Sequence, residues 1–173
     1  MQDSGFSTKS AGIDYSAINS LGIKHLTVDS RRVKRGDTFM AYPGETQDGR
    51  RYIAQAIANG AHAVLWEKRG FRWKPAWHVA NLGIANLRAR AGIIASHVYG
   101  YPSRRMWVVG VTGTNGKTTC SQWIAHALNE NRVRSGVIGT LGYGMYGMRA
   151  NTFRPLANTT PDADSWTFAS WRW

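Results

Sequence analysis

The chain has 173 residues, 43% of them hydrophobic and 18% charged, a balance that excludes a disordered protein and fits a globular one. Its formal net charge of +12 is compatible with nucleic acid, an anionic membrane surface or a polyphosphate substrate. The cations are scattered, however, at Arg31, Arg32, Lys34 and Arg35, at Arg50 and Arg51, across residues 68–74, and at Arg88 and Arg90, with no aromatic-interleaved RNA-binding pattern or helix-turn-helix. No apolar run approaches the ~20 residues of a transmembrane helix, and the first residues lack the basic-then-apolar layout of a signal peptide. A single cysteine, Cys120, excludes an internal disulfide and fits a reducing cytoplasm; a small packing role on a helix is expected for it.

In chain order, Ile13, Ala17, Ile18, Leu21 and Ile23 hint at a short helix and turn. A strand is expected over 25–28, leading into Asp29-Ser-Arg31, and a second over 38–42, rich in β-formers and ended by Pro43-Gly44. Residues 52–59 carry apolar side chains at a helical period, with Gly60 as the stop. A strand over 62–66, a basic loop over 68–75 and a short strand over 76–80 follow. The clearest helix of this half is 86–99, where Leu87, Ala91, Ile94 and Val98 share one stripe. Alternating strands and helices predict an α/β domain over 1–103, with Tyr101-Pro-Ser103 as the linker out of it.

The second half opens on an apolar run, 106–111, that suits a parallel strand covered on both faces. It runs into Thr112-Gly-Thr-Asn-Gly-Lys-Thr-Thr119, where Gly113 and Gly116 let the backbone turn tightly and approach an anion. Lys117, Thr118 and Thr119 then open a helix over 117–131, whose free N–H groups form a ready phosphate site. Strand, turn, lysine and paired hydroxyls together make a P-loop. In it Lys117 reaches the β- and γ-phosphates and the Thr118 hydroxyl ligates Mg²⁺. The helix presents Trp123, Ile124, Ala127 and Leu128 as its apolar face, a strand is expected over 136–140, and Gly142, Gly144 and Gly147 form a loose connection or hairpin with Tyr143 and Tyr146.

The loop departs from the general Walker pattern, since Val111 stands where the first glycine belongs. In that form it resembles the ATP loop of the Mur ligase superfamily. Three further stretches narrow the likeness: Val28-Asp-Ser-Arg31, the run P-G-E-T-Q-D-G-R-R-Y-I over 43–53, and Asn158-Thr-Thr-Pro-Asp162. Together they look like the MurE type of Mur ligase, the UDP-N-acetylmuramyl-tripeptide synthetases. The resemblance implies an N-terminal α/β domain that grips the UDP-sugar, then the start of a P-loop parallel-sheet ATP-binding central domain over 104–163, incomplete, with an atypical tail over 164–173.

By that resemblance Val28 and Ser30 line the uracil and diphosphate, Glu45, Thr46 and Gln47 form the loop beside them, and Asn158, Thr159 and Thr160 contact the muramyl-peptide near the γ-phosphate. The nucleotide loop is Gly113, Thr114, Asn115, Gly116, Lys117, Thr118 and Thr119, with Lys117 catalytic and Thr118 on the metal. The implied reaction is ATP-dependent ligation of an amino acid, meso-diaminopimelate ahead of L-lysine, to UDP-N-acetylmuramoyl-L-alanyl-D-glutamate in peptidoglycan synthesis. The implied cofactors are ATP and Mg²⁺. The partners are those small molecules, with no nucleic acid, no membrane insertion, a monomer in the cytoplasm. Another Mur-type ligase, a folylpolyglutamate synthetase, or a non-catalytic nucleotide- or RNA-binding module are the alternatives.

A doubly wound P-loop domain needs several βα units of roughly 30 residues each, more than the chain holds after Lys117. Three of its eight tryptophans crowd the final nine residues, where the family pattern is lost. The expectation is a ligase truncated by a frameshift, an incomplete gene or an assembly error, inactive as it stands. Residues 106–173 are expected to be aggregation-prone, and residues 25–103 to fold alone.

Overall fold

A computed structural model describes residues 12–45 and 47–147. They divide into two compact units, one ending at Pro102 and the other starting at Ser103.

The first unit is a parallel sheet with helices. Helix α1 (Tyr15–Ser20) starts where the Asp14 carboxylate accepts the Ala17 N–H at 3.0 Å, an N-cap. Strands β1 (Leu26–Thr27), β2 (Thr38–Ala41), β3 (Ala63–Glu67) and β4 (Ala80–Ile84) pair in that order, every pair parallel. Helix α2 (Ile53–Ala58) joins β2 to β3, and α3 (Leu87–Val98) follows β4. The strands alternate as the pleat requires. Phe39, Ala41 and Val64 are buried on one face with Val33, Ile53, Ala56 and Ala61. The alternate set, Thr38, Met40, Ala63 and Leu65, is buried on the other, where α3 packs against β3. Tyr99, just past α3, accepts the Leu26 N–H at its hydroxyl, 3.0 Å, and so fixes the end of that helix to the sheet.

The segment between β3 and β4 has no helix. Phe71, Trp73, Trp77 and Val79 pack over Trp66 on the α2 face and cover it instead. The short strand expected over 76–80 is accordingly displaced. The Trp77 N–H donates to Lys74 O at 3.0 Å and closes a turn, and pairing begins only at Ala80. Gly83 lies opposite Trp66, and a Cβ there would sit 2.8 Å from the indole, so the sheet can carry that tryptophan only beside a glycine.

The second unit consists of α4 (Lys117–Glu130) and an antiparallel hairpin of β5 (Gly136–Gly139) and β6 (Gly142–Met145). The hairpin anticipated around Tyr143 is present. The buried strand expected over 106–111 is not. Trp107 is fully exposed and Val108 and Val109 largely so, and the run pairs with nothing among the described residues. A central parallel strand exists only between neighbours that satisfy its backbone groups and cover its side chains, and none is supplied among the described residues. For the same reason the apolar face expected on α4 is open. Trp123 is 73% exposed, Ile124, Ala127 and Leu128 are exposed too, and Ala125 is the helix's buried residue. Cys120, expected to pack, is also exposed.

Candidate functional site

In a parallel sheet the loops beyond the carboxyl ends of the strands gather on one edge, the usual place for a ligand. Here they are Val28–Arg31 after β1, 42–52 after β2, the turn at Lys68 after β3, and Ala85-Asn86 after β4. Two of them are built alike. Asp29 caps the 3₁₀ turn Ser30–Arg32, accepting from the Arg31 N–H at 3.0 Å and from the guanidinium at 2.9 and 2.8 Å. Asp48 caps the turn Gly49–Tyr52, accepting from the Arg50 N–H at 3.0 Å and its guanidinium at 2.9 and 2.7 Å. Each arginine, by its hydrogen bonds to the carboxylate, holds the aspartate below the usual carboxylate value, and each guanidinium is raised in return. Arg50 is also tied elsewhere, donating to Arg69 O at 2.8 Å and lying 5.2 Å over the Phe71 ring.

Between β2 and the second turn the chain folds into a small loop, closed by Gly44 N–H to Gln47 O at 2.7 Å and Gly49 N–H to Tyr42 O at 3.0 Å. A Cβ on Gly49 would lie 2.9 Å from Tyr42 O, so this close approach requires glycine. An open cleft of about 390 Å³ is lined by Pro43, Gly44, Glu45, Gln47, Asp48, Arg51 and Tyr52. The Tyr52 hydroxyl donates to Gln47 Oε1 at 2.8 Å, and Arg88 reaches Glu45 Oε1 at 2.8 Å from the first turn of α3. Pro43 also walls a second cleft with Glu67, Asn86, Arg88 and Ala89. The cleft therefore offers an amide, a phenol, the Arg51 guanidinium and backbone groups, beside the Glu45 and Asp48 carboxylates that are each paired with an arginine, a set that can recognise a polar ligand by hydrogen bonds.

Of the residues expected on the sugar nucleotide, Glu45 and Gln47 share this cleft. Val28 is half-buried after β1. Ser30 is buried, its hydroxyl donating to Gln55 Oε1 at 2.8 Å and its carbonyl accepting from Asn59 Nδ2 at 2.9 Å, which ties the first turn to α2. Thr46, Asn158, Thr159 and Thr160 lie outside the described residues. Sequence reasoning missed Tyr52 and Arg51 in the cleft and Arg88, which holds Glu45 from beside it; only the proximity of R-R-Y to the loop could have flagged the first two. It also missed Glu67. This buried carboxylate accepts the Leu87 N–H at 2.8 Å and the Arg69 N–H at 2.9 Å, capping α3 where Asn86, in a left-handed conformation at φ +56°, supplies no side-chain cap.

In the second unit the loop residues Gly113, Thr114, Asn115, Gly116, Lys117, Thr118 and Thr119 are all exposed. Gly113 and Gly116 take φ of +144° and +77°, the backbone freedom for which glycine was expected at both. The Lys117 ammonium curls over the loop, donating to Gly113 O at 2.6 Å and Thr114 O at 3.2 Å. Helix α4 starts at Lys117 with Gly116 at its N-cap and no side-chain acceptor there, leaving its first N–H groups to point outward beside that ammonium. Thr118 presents a hydroxyl in the first turn, and among the described residues no trio of His, Cys, Asp or Glu forms a metal cluster. The donor set is thus hydroxyl and backbone, suited to phosphate and to a hard cation that a phosphate brings with it.

Comparison with known proteins covers both units. The model described as Mur ligase family, catalytic domain matches residues 22–99, and that of the Mur ligase middle domain matches 111–166. The UDP-N-acetylmuramoyl-L-alanyl-D-glutamate–2,6-diaminopimelate ligase of Nitrosomonas europaea is 55% identical over 148 residues, covering 84% of this chain and 28% of that protein. The ligase of the same name from Chromobacterium violaceum is 50% identical over 143 residues, 82% of this chain and 28% of that one. Among solved structures, MurF ligase from Thermotoga maritima in complex with ADP is similar at 28% identity and a TM-score of 0.50, over 66% of this chain and 25% of that one. A MurF structure from Acinetobacter baumannii, also 28% identical, gives a TM-score of 0.53 over 69% of this chain and 24% of its own. The chain spans about 28% of the length of these curated relatives.

Proposed function

The chain belongs to the Mur ligase family, and we propose that it is the sugar-nucleotide- and ATP-loop-bearing part of a ligase that adds meso-diaminopimelate to UDP-N-acetylmuramoyl-L-alanyl-D-glutamate. The observation that carries this reading is the 55% identity to a diaminopimelate ligase, over a stretch of 148 residues that amounts to 84% of the chain. In this reading residues 1–103 bind the UDP-sugar and residues 104–163 begin the ATP-binding domain. Val28, Ser30, Glu45, Thr46 and Gln47 serve the uridine diphosphate end, with Asn158, Thr159 and Thr160 near the peptide.

The chemistry is two displacements. A substrate carboxylate oxygen attacks the γ-phosphorus of ATP, releasing ADP and forming an acyl phosphate. The incoming amine attacks its carbonyl carbon, and the tetrahedral adduct collapses to an amide with loss of phosphate and a proton. Gly113 to Thr119 hold the phosphates through backbone N–H groups, and the Lys117 ammonium, exchanging its loop carbonyls for phosphate oxygens, offsets charge on the β- and γ-oxygens. Mg²⁺, when bound, supplies further charge neutralisation to the transferred group, and the Thr118 hydroxyl would be its protein ligand. The substrates are small molecules in the cytoplasm and the chain acts as a monomer; no helix among the described residues is long and apolar enough to cross a membrane.

Calorimetric titration tests the assignment. UDP-N-acetylmuramoyl-L-alanyl-D-glutamate should bind, and Gln47→Ala should weaken it by about tenfold, the worth of one hydrogen bond to a charged group. ADP with Mg²⁺ should lose binding in Lys117→Ala and keep it in Gln47→Ala. Salt-sensitive RNA binding with no affinity for either nucleotide would replace this reading with a nucleic-acid module.

A further inference from the structure

The loop from Lys68 to His78 leaves β3 on the edge that carries the clefts but lines neither of them, and it is the densest collection of cations and aromatic rings in the described chain. Lys68, Arg69, Arg72 and Lys74 are all exposed, and the loop contains no acidic residue. Its rings are half-buried and packed on one another. Trp66 stacks on Trp73 at 5.6 Å and 29°, Phe71 on Trp77 at 6.3 Å and 17°, and Trp73 meets Trp77 edge-on at 5.0 Å. Cations flank them, Arg50 over Phe71 and Lys74 over Trp77 at 5.4 Å. Arg50 further pins the loop through Arg69 O, so the cluster is anchored to the sheet.

We propose that this loop is a peripheral membrane-binding surface that adsorbs the chain to bilayers carrying anionic lipid. Two features select that occupant. The cations are concentrated on one anchored loop with no carboxylate among them, complementary to an anionic headgroup layer. The ring faces are already engaged with each other and with cations, so they do not form the open stacking platform that single-stranded nucleic acid requires. What the loop exposes is charge beside half-buried tryptophans, the combination enriched at the membrane–water interface. The contact is adsorption at the headgroups and involves no spanning segment.

Flotation of the full chain with phosphatidylcholine vesicles, with and without about one-third phosphatidylglycerol, tests this. Binding is expected to the anionic vesicles only, and to be lost at high salt. Each cation near such a surface is worth about fivefold in partitioning, so Lys68→Gln/Arg72→Gln/Lys74→Gln should lower it by about a hundredfold. A control of equal net charge, Lys24→Gln/Lys34→Gln/Arg35→Gln, should change it by less than about threefold, with both variants melting as the parent does. Equal binding to neutral vesicles, equal loss in the two triple variants, or retention on RNA without vesicle binding would each overturn the proposal. The sugar-nucleotide titrations would stand regardless.

Discussion

The two units carry motifs of similar clarity and treat them differently. In residues 12–102 the recognition loops hang from strands that are paired and covered. Phe39, Ile53, Val64, Leu65, Leu87 and Ile94 are all fully buried. In residues 103–147 the buried hydrophobic residues are Ala125, Val137 and Met145, while Trp107, Val108, Val109 and Trp123 face outward. A glycine-rich loop can take its local shape from its own dihedrals, as Gly113 and Gly116 do, but the strand that should enter it cannot form without neighbours. Local chemistry therefore writes the loop, and tertiary pairing writes the strand.

The largest effect that could break this contrast is core truncation. Phe39→Ala should cost the first unit about 3–5 kcal/mol, enough to unfold a marginal domain, whereas Trp123→Ala should fall within about 0.5 kcal/mol. Chemical denaturation of the two variants reads the difference, and equal losses would mean that α4 is packed after all. Next is the glycine beside Trp66: Gly83→Ala drives a methyl into a stacked indole and should destabilise by about 1–3 kcal/mol, with an altered tryptophan fluorescence.

The paired aspartate turns come third. Asp48→Ala removes an N-cap and the Arg50 guanidinium bonds and should cost about 1 kcal/mol, with loosening of the segment that Arg50 pins. Their pH signature has a definite sign. Asp29 and Asp48 are held below 3.8, so between that value and their folded values the unfolded chain binds more protons. Their contribution is present above about pH 3.8 and lost as pH falls through the folded values, and the Asp48→Ala variant should show a shallower acid limb. The smallest effect is at Thr38, a buried residue whose hydroxyl finds no partner. Thr38→Val should be neutral or stabilising by up to about 1 kcal/mol, since it removes an unsatisfied polar atom at nearly constant shape.

Much of the first unit was legible because pattern and environment agree there. The near-continuous apolar runs of β2 and β3, and the Leu87, Ala91 and Ile94 stripe of α3, are what their burial requires. The place of β4 was not legible, because Asn81 and Gly83 are poor strand formers. They are kept in the sheet by Trp66, whose indole N–H donates to Asn81 Oδ1 at 3.0 Å and whose ring needs the space above Gly83. Nor could Glu67 be read from spacing, since it caps a helix 20 residues away. In the candidate site Glu45 and Gln47 could be named from the motif; Arg88 could not, because only the fold brings the first turn of α3 to the loop after β2. The run 106–111 misled for the opposite reason, its composition announcing a burial for which the described residues supply no neighbouring strand.

The most direct measurement is amide hydrogen exchange of the chain with and without UDP-N-acetylmuramoyl-L-alanyl-D-glutamate. Slow exchange in β2 and β3, fast exchange across 106–111, and added protection at 28–31 and 42–52 on binding the sugar nucleotide are the expected results. Protection of 106–111 in the free chain, or ligand protection that spares 28–31 and 42–52, would contradict the account.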